Sequence, residues 1–144
     1  MNLSQIASRP VIFTHPRATV LEACETMLEK RVGAVIVLDE GKLVGIFSER
    51  DVVRRVAAKR LDPMVTRVTK MMTTQVKTVN ESTSMDTALE LMHQGGFRHL
   101  PLVDAAGRAA GMLSVRDLLR HRLQELDSKN ADLMNFISAD GPGS

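Results

Sequence analysis

Gly45-Ile46-Phe47-Ser48-Glu49-Arg50-Asp51 returns later in the chain as Gly111-Met112-Leu113-Ser114-Val115-Arg116-Asp117, an offset of 66 residues. Upstream the correspondence continues at an offset of 65. Val35-Ile36-Val37-Leu38-Asp39 answers Leu100-Pro101-Leu102-Val103-Asp104, Met27 answers Met92, and Ala23 answers Ala88. The extra residue enters where Asp39-Glu40-Gly41 becomes Asp104-Ala105-Ala106-Gly107, a turn, and turns absorb insertions more easily than packed elements do. An internal repeat sets the architecture before any site is considered. Here it means two copies of one unit, and two equivalent places where a ligand can sit.

Working outward from the repeat, residues 17–31 read as a helix: Val20, Leu21, Cys24, Met27 and Leu28 fall at helical spacing, with Glu22, Glu25, Glu29 and Lys30 on the other face. Gly33 stops it. Ala34 to Leu38 is a short, β-branched apolar run, Asp39-Glu40-Gly41 a turn, and Leu43 to Phe47 the returning partner of a hairpin. A second helix opens at Ser48, with Val52, Val53, Val56 and Ala57 on one side, and Val11 to Phe13 supplies a short lead-in strand. The second copy predicts the same order: a lead-in at Val76 to Val79, a helix over 84–94 stopped by Gly95-Gly96, strands at 99–103 and 109–113, and a helix from Ser114. This divides the chain into a first repeat at 8–60, a linker at 61–72 with one helical turn ending at Met71-Met72, a second repeat at 73–122, and a C-terminal extension at 123–144. In that extension Leu119, Leu123, Leu126, Asn130, Leu133 and Ile137 form a heptad stripe with one polar position, the pattern of a helix that either pairs with a second copy or lies on the domain body. The tail from Asp140 reads as frayed.

The chain has 144 residues, 44% of them apolar and 25% charged, which suits one soluble domain with a proper core. Neither copy alone would bury much, so the two should pack on each other. No run of eighteen apolar residues exists, the first residues do not resemble a secretory signal, and one cysteine, Cys24, rules out an internal disulfide. The expectation is a cytoplasmic protein with no membrane partner and, on the apolar face of the first helix, a buried and inert thiol. A net charge of +2 and four Phe as the whole aromatic complement argue against nucleic acid. No P-loop and no Gly-x-Gly-x-x-Gly occur, and His15, His93, His99 and His121 are scattered, so no metal site is expected. Ser48 or Ser114 with His99 and an aspartate can be drawn as a triad, but each serine has a capping role and nothing supplies an oxyanion site. The expectation is not an enzyme.

The duplicated Gly-apolar-apolar-Ser-x-x-Asp motif, together with Phe97-Arg98-His99-Leu100-Pro101-Leu102-Val103-Asp104, resembles CBS domains, the modules named after cystathionine β-synthase. The resemblance covers about residues 8–122. It implies an α+β fold of two pseudo-symmetric repeats (short lead-in strand, helix, two strands, helix) packed sheet to sheet, with an extended C-terminal helix. It also implies two clefts that bind adenosine-containing ligands, and association into homodimers.

The resemblance assigns the residues as follows. Ser48 with Asp51 and Ser114 with Asp117 would hold ribose, the carboxylate accepting both hydroxyls of the cis-diol while backbone N–H groups at the helix start receive sugar or phosphate oxygens. The same residues also read as simple helix caps, and capping leaves lone pairs free. Gly45 and Gly111 would let a ligand approach the strand backbone. The base would lie against Val11, Ile12, Phe13 and Thr14 in one lead-in and Lys77, Thr78 and Val79 in the other. Phosphate would be met by Arg98 and His99; Arg50 and Arg116 inside the motifs either swing towards a phosphate or form a solvated helix face, and Arg31 is the cation nearest the corresponding place in the first copy. The copies are unequal here, since Gly33-Ala34 stands where the second has Arg98-His99.

The function expected from these assignments is a stand-alone, non-catalytic energy or redox sensor. It would need no cofactor, bind AMP, ADP, ATP or NAD(H) rather than the cationic S-adenosylmethionine, and signal to an unknown protein effector. The alternatives are an interaction module with degenerate clefts that dimerises without ligand, and a nucleic-acid-binding module.

Overall fold

The computed structural model describes residues 2–129, and within them each copy of the repeat builds its own small sheet. In the first, β1 (Phe13–Thr14) runs parallel to β2 (Ala34–Asp39), which pairs antiparallel with β3 (Lys42–Ser48). In the second, β4 (His99–Val103) pairs antiparallel with β5 (Ala109–Ser114). The register slips between Val37 and Leu38 in one hairpin and between Leu102 and Val103 in the other. Those positions correspond at the offset of 65, so the repeat extends to the irregularities of its sheets.

A helix precedes each hairpin, α2 (Val20–Lys30) and α5 (Met85–Gly95). Their N-caps are equivalent residues: the Thr19 hydroxyl accepts from the Glu22 N–H at 3.2 Å and the Ser84 hydroxyl from the Thr87 N–H at 3.0 Å. Each satisfies a donor that the first helical turn leaves without a partner. Both helices end in a left-handed residue, Arg31 (φ 56) and Gly96 (φ 69). Glycine adopts that conformation freely, whereas arginine does so at a cost of roughly 1 kcal/mol.

After the hairpins the copies diverge. α6 (Val115–Lys129) is α-helical, but its counterpart opens as a single turn, α3 (Glu49–Asp51), and continues as a π-helical stretch over Val52–Ala57. The wider turn accompanies a tether: Arg55 Nη1 donates to the Met71 and Met72 carbonyls at 3.0 and 3.1 Å. The expected lead-in strand at Val76 to Val79 is not formed. Only Val79 pairs there, bridging in parallel to Leu102, because residues 75–77 line a cleft instead of the sheet edge. The first lead-in strand starts two residues later than expected and ends one later, at Phe13–Thr14, although the Ile12 carbonyl still accepts from the Ile36 N–H.

Two short helices complete the fold by crossing over. α1 (Leu3–Ile6) leads into the first copy yet packs on the second: Leu3 is buried in the second core, and Ser8 exchanges backbone hydrogen bonds with Met112 of β5. α4 (Val68–Met71) leads into the second copy yet packs on the first. Val68 is buried in the first core, and Thr73 exchanges hydrogen bonds with Ile46 of β3. Leu3 and Val68, and Ser8 and Thr73, correspond at the offset of 65, so residues before the expected first boundary and inside the expected linker form equivalent parts of the repeat. Each core is therefore finished by a segment of the other copy. Val35, Val37, Phe47 and Val56 centre the first, and Leu100, Leu102, Leu113 and Leu118 the second.

Leu119, Leu123 and Leu126 lie exposed on α6. The remaining stripe positions, Asn130, Leu133 and Ile137, and the tail lie outside the described residues. No helix among the described residues is long and apolar enough to cross a membrane.

Candidate functional site

Ser48 ends β3 and caps α3, and Ser114 ends β5 ahead of α6, so each hairpin delivers a hydroxyl and a carboxylate to the start of a helix. At the first start a capping box closes. Asp51 Oδ2 accepts from the Ser48 N–H at 2.9 Å and from its hydroxyl at 3.2 Å, while Ser48 Oγ accepts from the Asp51 N–H at 3.3 Å. Arg55 Nε lies 3.6 Å from the other oxygen, Oδ1. At the second start Ser114 Oγ accepts from the Asp117 N–H at 3.0 Å, and Asp117 Oδ2 accepts instead from the hydroxyl of Ser8 at 3.4 Å. Each carboxylate has about four acceptor positions, so both retain capacity for a ligand's hydroxyl groups.

Two clefts lie between the copies, one at each helix start. The first, about 300 Å³, is lined by Ser48, Asp51, the lead-in residues Thr73 to Lys77 except Thr74, and the end of α5 through Gly96. The second, about 610 Å³, is lined by Ser114, Asp117, the lead-in residues Ser8, Pro10 and Ile12, and the end of α2 through Arg31. Both volumes suit a small organic ligand. Every cleft thus combines the motif of one copy with the lead-in and the helix C-terminus of the other, a consequence of the crossed helices α1 and α4.

This crossing decides where the expected site residues fall. Ser48, Asp51, Arg50 and Lys77 share the first cleft, and Ser114, Asp117, Arg116, Arg31 and Ile12 share the second; Arg98 and His99 line both. Val11, Phe13, Thr14, Thr78 and Val79 line neither: Thr14 in β1 and Val79 beside β4 are buried, and Phe13 is exposed. Arg31 belongs to the second cleft, at the wall opposite Asp117, although its position in the chain had associated it with the first copy. Arg50 is engaged, its Nη1 donating to the carbonyl of Gly96 at 2.5 Å, which ties the first copy's motif to the end of α5. Val76, the first residue of the expected second lead-in, lines the first cleft, while Thr73, Gln75, Ser8, Pro10 and Met112 are cleft residues that sequence reasoning missed. The signal was present in the offset of 65 running back through Thr73 and Ser8.

Gly45 and Gly111 require a correction. They do not open the strands to a ligand; they admit the chain itself. A Cβ on Gly45 would overlap the Met72 side chain, and one on Gly111 would lie 2.9 Å from the Ala7 Cβ and 3.1 Å from the Ser8 carbonyl oxygen. The crossing segments fill the space that these glycines leave.

The electrostatics centre on His99. Burial pushes its pKa below the ordinary 6.5; the carboxylates of Glu49 and Asp117 act in the opposite direction, and Arg98 adds to the lowering. Burial, and secondarily Glu25, raise the pKa of Cys24, consistent with an inert thiol. Among the described residues, no group of three or more His, Cys, Asp or Glu side chains is placed to hold a metal ion.

Comparison with known proteins places this geometry in a family. The CBS domain model matches residues 3–58 and again 67–124, boundaries that include both crossing helices. The chain is 40% identical over 119 residues to an uncharacterized 17.7 kDa protein of Acidianus ambivalens, covering 82% of this chain and 71% of that one. It is 43% identical over 99 residues to the meiotically up-regulated gene 70 protein of Schizosaccharomyces pombe, covering 69% of this chain but only 14% of that protein's length. Among solved structures, a CBS domain protein from Pyrobaculum aerophilum complexed with AMP superposes with a TM-score of 0.79 at 28% identity, covering 89% of this chain and 99% of that one. With the family model matching twice across most of its length, and with the repeat, the hairpins and the Ser-x-x-Asp helix starts in both halves, the chain belongs to the CBS-domain family and carries two copies of that domain.

Proposed function

We propose that this chain is a non-catalytic regulatory module that binds adenosine-containing ligands in its two clefts and passes their occupancy to a protein partner. Asp51 and Asp117 hold the ribose diol, Ser48 and Ser114 and the helix-start N–H groups take sugar or phosphate oxygens, and Arg98 meets phosphate. The observation that carries this reading is the pairing, at each cleft, of a Ser-x-x-Asp helix start with a cation of the opposite copy, Arg98 for Asp51 and Arg31 for Asp117, with Arg98 lining the second cleft from its own copy as well. The AMP complex of the Pyrobaculum relative supports it. Cations at both clefts favour AMP, ADP, ATP or NAD(H) over a sulfonium ligand. Because each cleft is built from both copies, a ligand binds one packing of the copies better than another, and that difference is what a partner reads. The exposed leucines at 119, 123 and 126 support association of two chains through α6.

A second reading has its own observation. Both carboxylates already have partners within the chain, Ser48 and Arg55 for Asp51 and Ser8 for Asp117. A purely structural role would make these residues caps and nothing more.

A thermal-shift series with AMP, ADP, ATP, NAD⁺, NADH and adenosine separates the two. The regulatory reading expects selective stabilisation by one or two of these, lost in Asp117→Ala relative to that variant's own ligand-free midpoint, which absorbs the loss of the Ser8 contact. A flat series, on protein shown by mass spectrometry to carry no retained nucleotide, would leave only the structural role.

A further inference from the structure

The two clefts are not separate. Gly33, Glu49, Arg98 and His99 line both, so the clefts share one wall. The repeat is at its least symmetric there. Where the second copy supplies Arg98 and His99 the first has Gly33 and Ala34, and where the first supplies Glu49 the second has Val115. The wall therefore holds one fixed cation and one carboxylate.

Gly33 is what lets the groups meet. A methyl group on its Cα would lie 3.1 Å from Glu49 Oε1 and 3.3 and 3.4 Å from His99 Cε1 and Nε2. The Glu49 N–H donates to the Gly33 carbonyl at 3.0 Å, which anchors the first residue of α3 at the same place. Carboxylate and imidazole thus converge on the bare face of one residue, between the clefts.

We infer that Glu49 is a specificity-determining residue common to both clefts, one that limits the negative charge their ligands bring to the shared wall. This rests on the reading of the clefts as nucleotide sites. A single phosphate can pair with Arg98, whose fork matches two phosphate oxygens. Further phosphates, or a second ligand's phosphate in the other cleft, meet the carboxylate with no second fixed cation in the wall. Like charges a few ångströms apart in a partly exposed site repel enough to change affinity by about three- to tenfold. At the shared wall the clefts consequently favour a single phosphate. Longer chains have to reach the cations outside it, Arg54 and Lys77 in the first cleft and Arg31 and Arg120 in the second. Filling one cleft weakens the other towards anionic ligands at that wall.

Glu49→Gln tests this, because glutamine keeps the shape and leaves the Ser48–Asp51 capping box in place. Adenosine, AMP and ATP would each be titrated calorimetrically into wild type and variant, with thermal midpoints as a check on folding. The variant should bind AMP about three- to tenfold more tightly and gain more for ATP, leave adenosine within about twofold, and bring the first and second AMP affinities closer together. An equal change for adenosine and AMP, or none for AMP and ATP, would overturn the inference while leaving the clefts as nucleotide sites. Absence of binding by all three ligands to wild type would remove the inference together with the reading on which it rests.

Discussion

A histidine pressed against a glycine, two carboxylates and an arginine makes the residue scale testable without any ligand. His99 is half-buried, and its burial favours the neutral imidazole over the charged one more than Glu49 and Asp117 together oppose it. Its folded pKa therefore lies below the 6.5 of the unfolded chain, and in the window between the two the unfolded state binds more protons. Stability is complete above about pH 6.5 and falls as pH drops towards the folded pKa, by at most about 1.4 kcal/mol per pH unit for one group. Urea midpoints measured between about pH 5.5 and 7.5 should show this decline, and His99→Gln should flatten it; an unchanged slope in the variant would assign the decline elsewhere. The residues that carry this site were largely legible. Ser48, Asp51, Ser114, Asp117, Arg98 and His99 all line the clefts, because a motif repeated at a strand-to-helix junction specifies its own local geometry. The engagement of Arg50 with the Gly96 carbonyl was not legible, since it joins elements 46 positions apart.

At the scale of elements, the helices and hairpins follow from apolar spacing and turn residues, and the observed ends differ from the expected ones by a few positions at most. What spacing does not reveal is which copy a short segment packs against. α1 and α4 are four residues each, too short to carry an amphipathic pattern, and their partners lie on the opposite copy. The glycines record that crossing. In Gly111→Ala the new methyl meets the Ala7 Cβ and the Ser8 carbonyl, backbone that cannot turn aside, so the variant should lose about 1–3 kcal/mol. In Gly45→Ala the obstacle is the Met72 side chain from Cγ outward, which can change rotamer, and lower chain entropy in the unfolded state offsets part of the strain, so the loss should be the smaller of the two. Chemical denaturation of the two variants distinguishes them, and equal losses would mean that the crossing segments yield alike. The π-helical stretch over Val52–Ala57 was equally hidden, because its residues also fit an α-helix; Arg55 and the carbonyls it reaches lie on separate elements.

For the whole molecule, one consequence of the crossing outweighs the others: neither copy contains a complete site. Each cleft takes its helix start from one copy and its lead-in and opposite wall from the other, and the wall that joins them holds Glu49, Arg98 and His99. On the proposed function, a ligand in either cleft would therefore act on the packing of both copies, which is what a regulatory module requires. The duplication in the sequence announced two clefts, but their shared wall emerges only from the packing, because Gly33, Glu49 and His99 come from a connection, a helix start and a strand far apart in the chain. The central claim is that the repeated aspartates hold a ribose diol. The most direct measurement is calorimetric titration of AMP against its 2′,3′-dideoxy analogue, in wild type and in the Asp51→Asn, Asp117→Asn double variant. AMP should bind wild type at least about tenfold more tightly than the dideoxy analogue, in line with hydrogen bonds to charged groups, and the double variant should lose most of that preference. Equal affinity of wild type for the two nucleotides, or binding of neither, would contradict it.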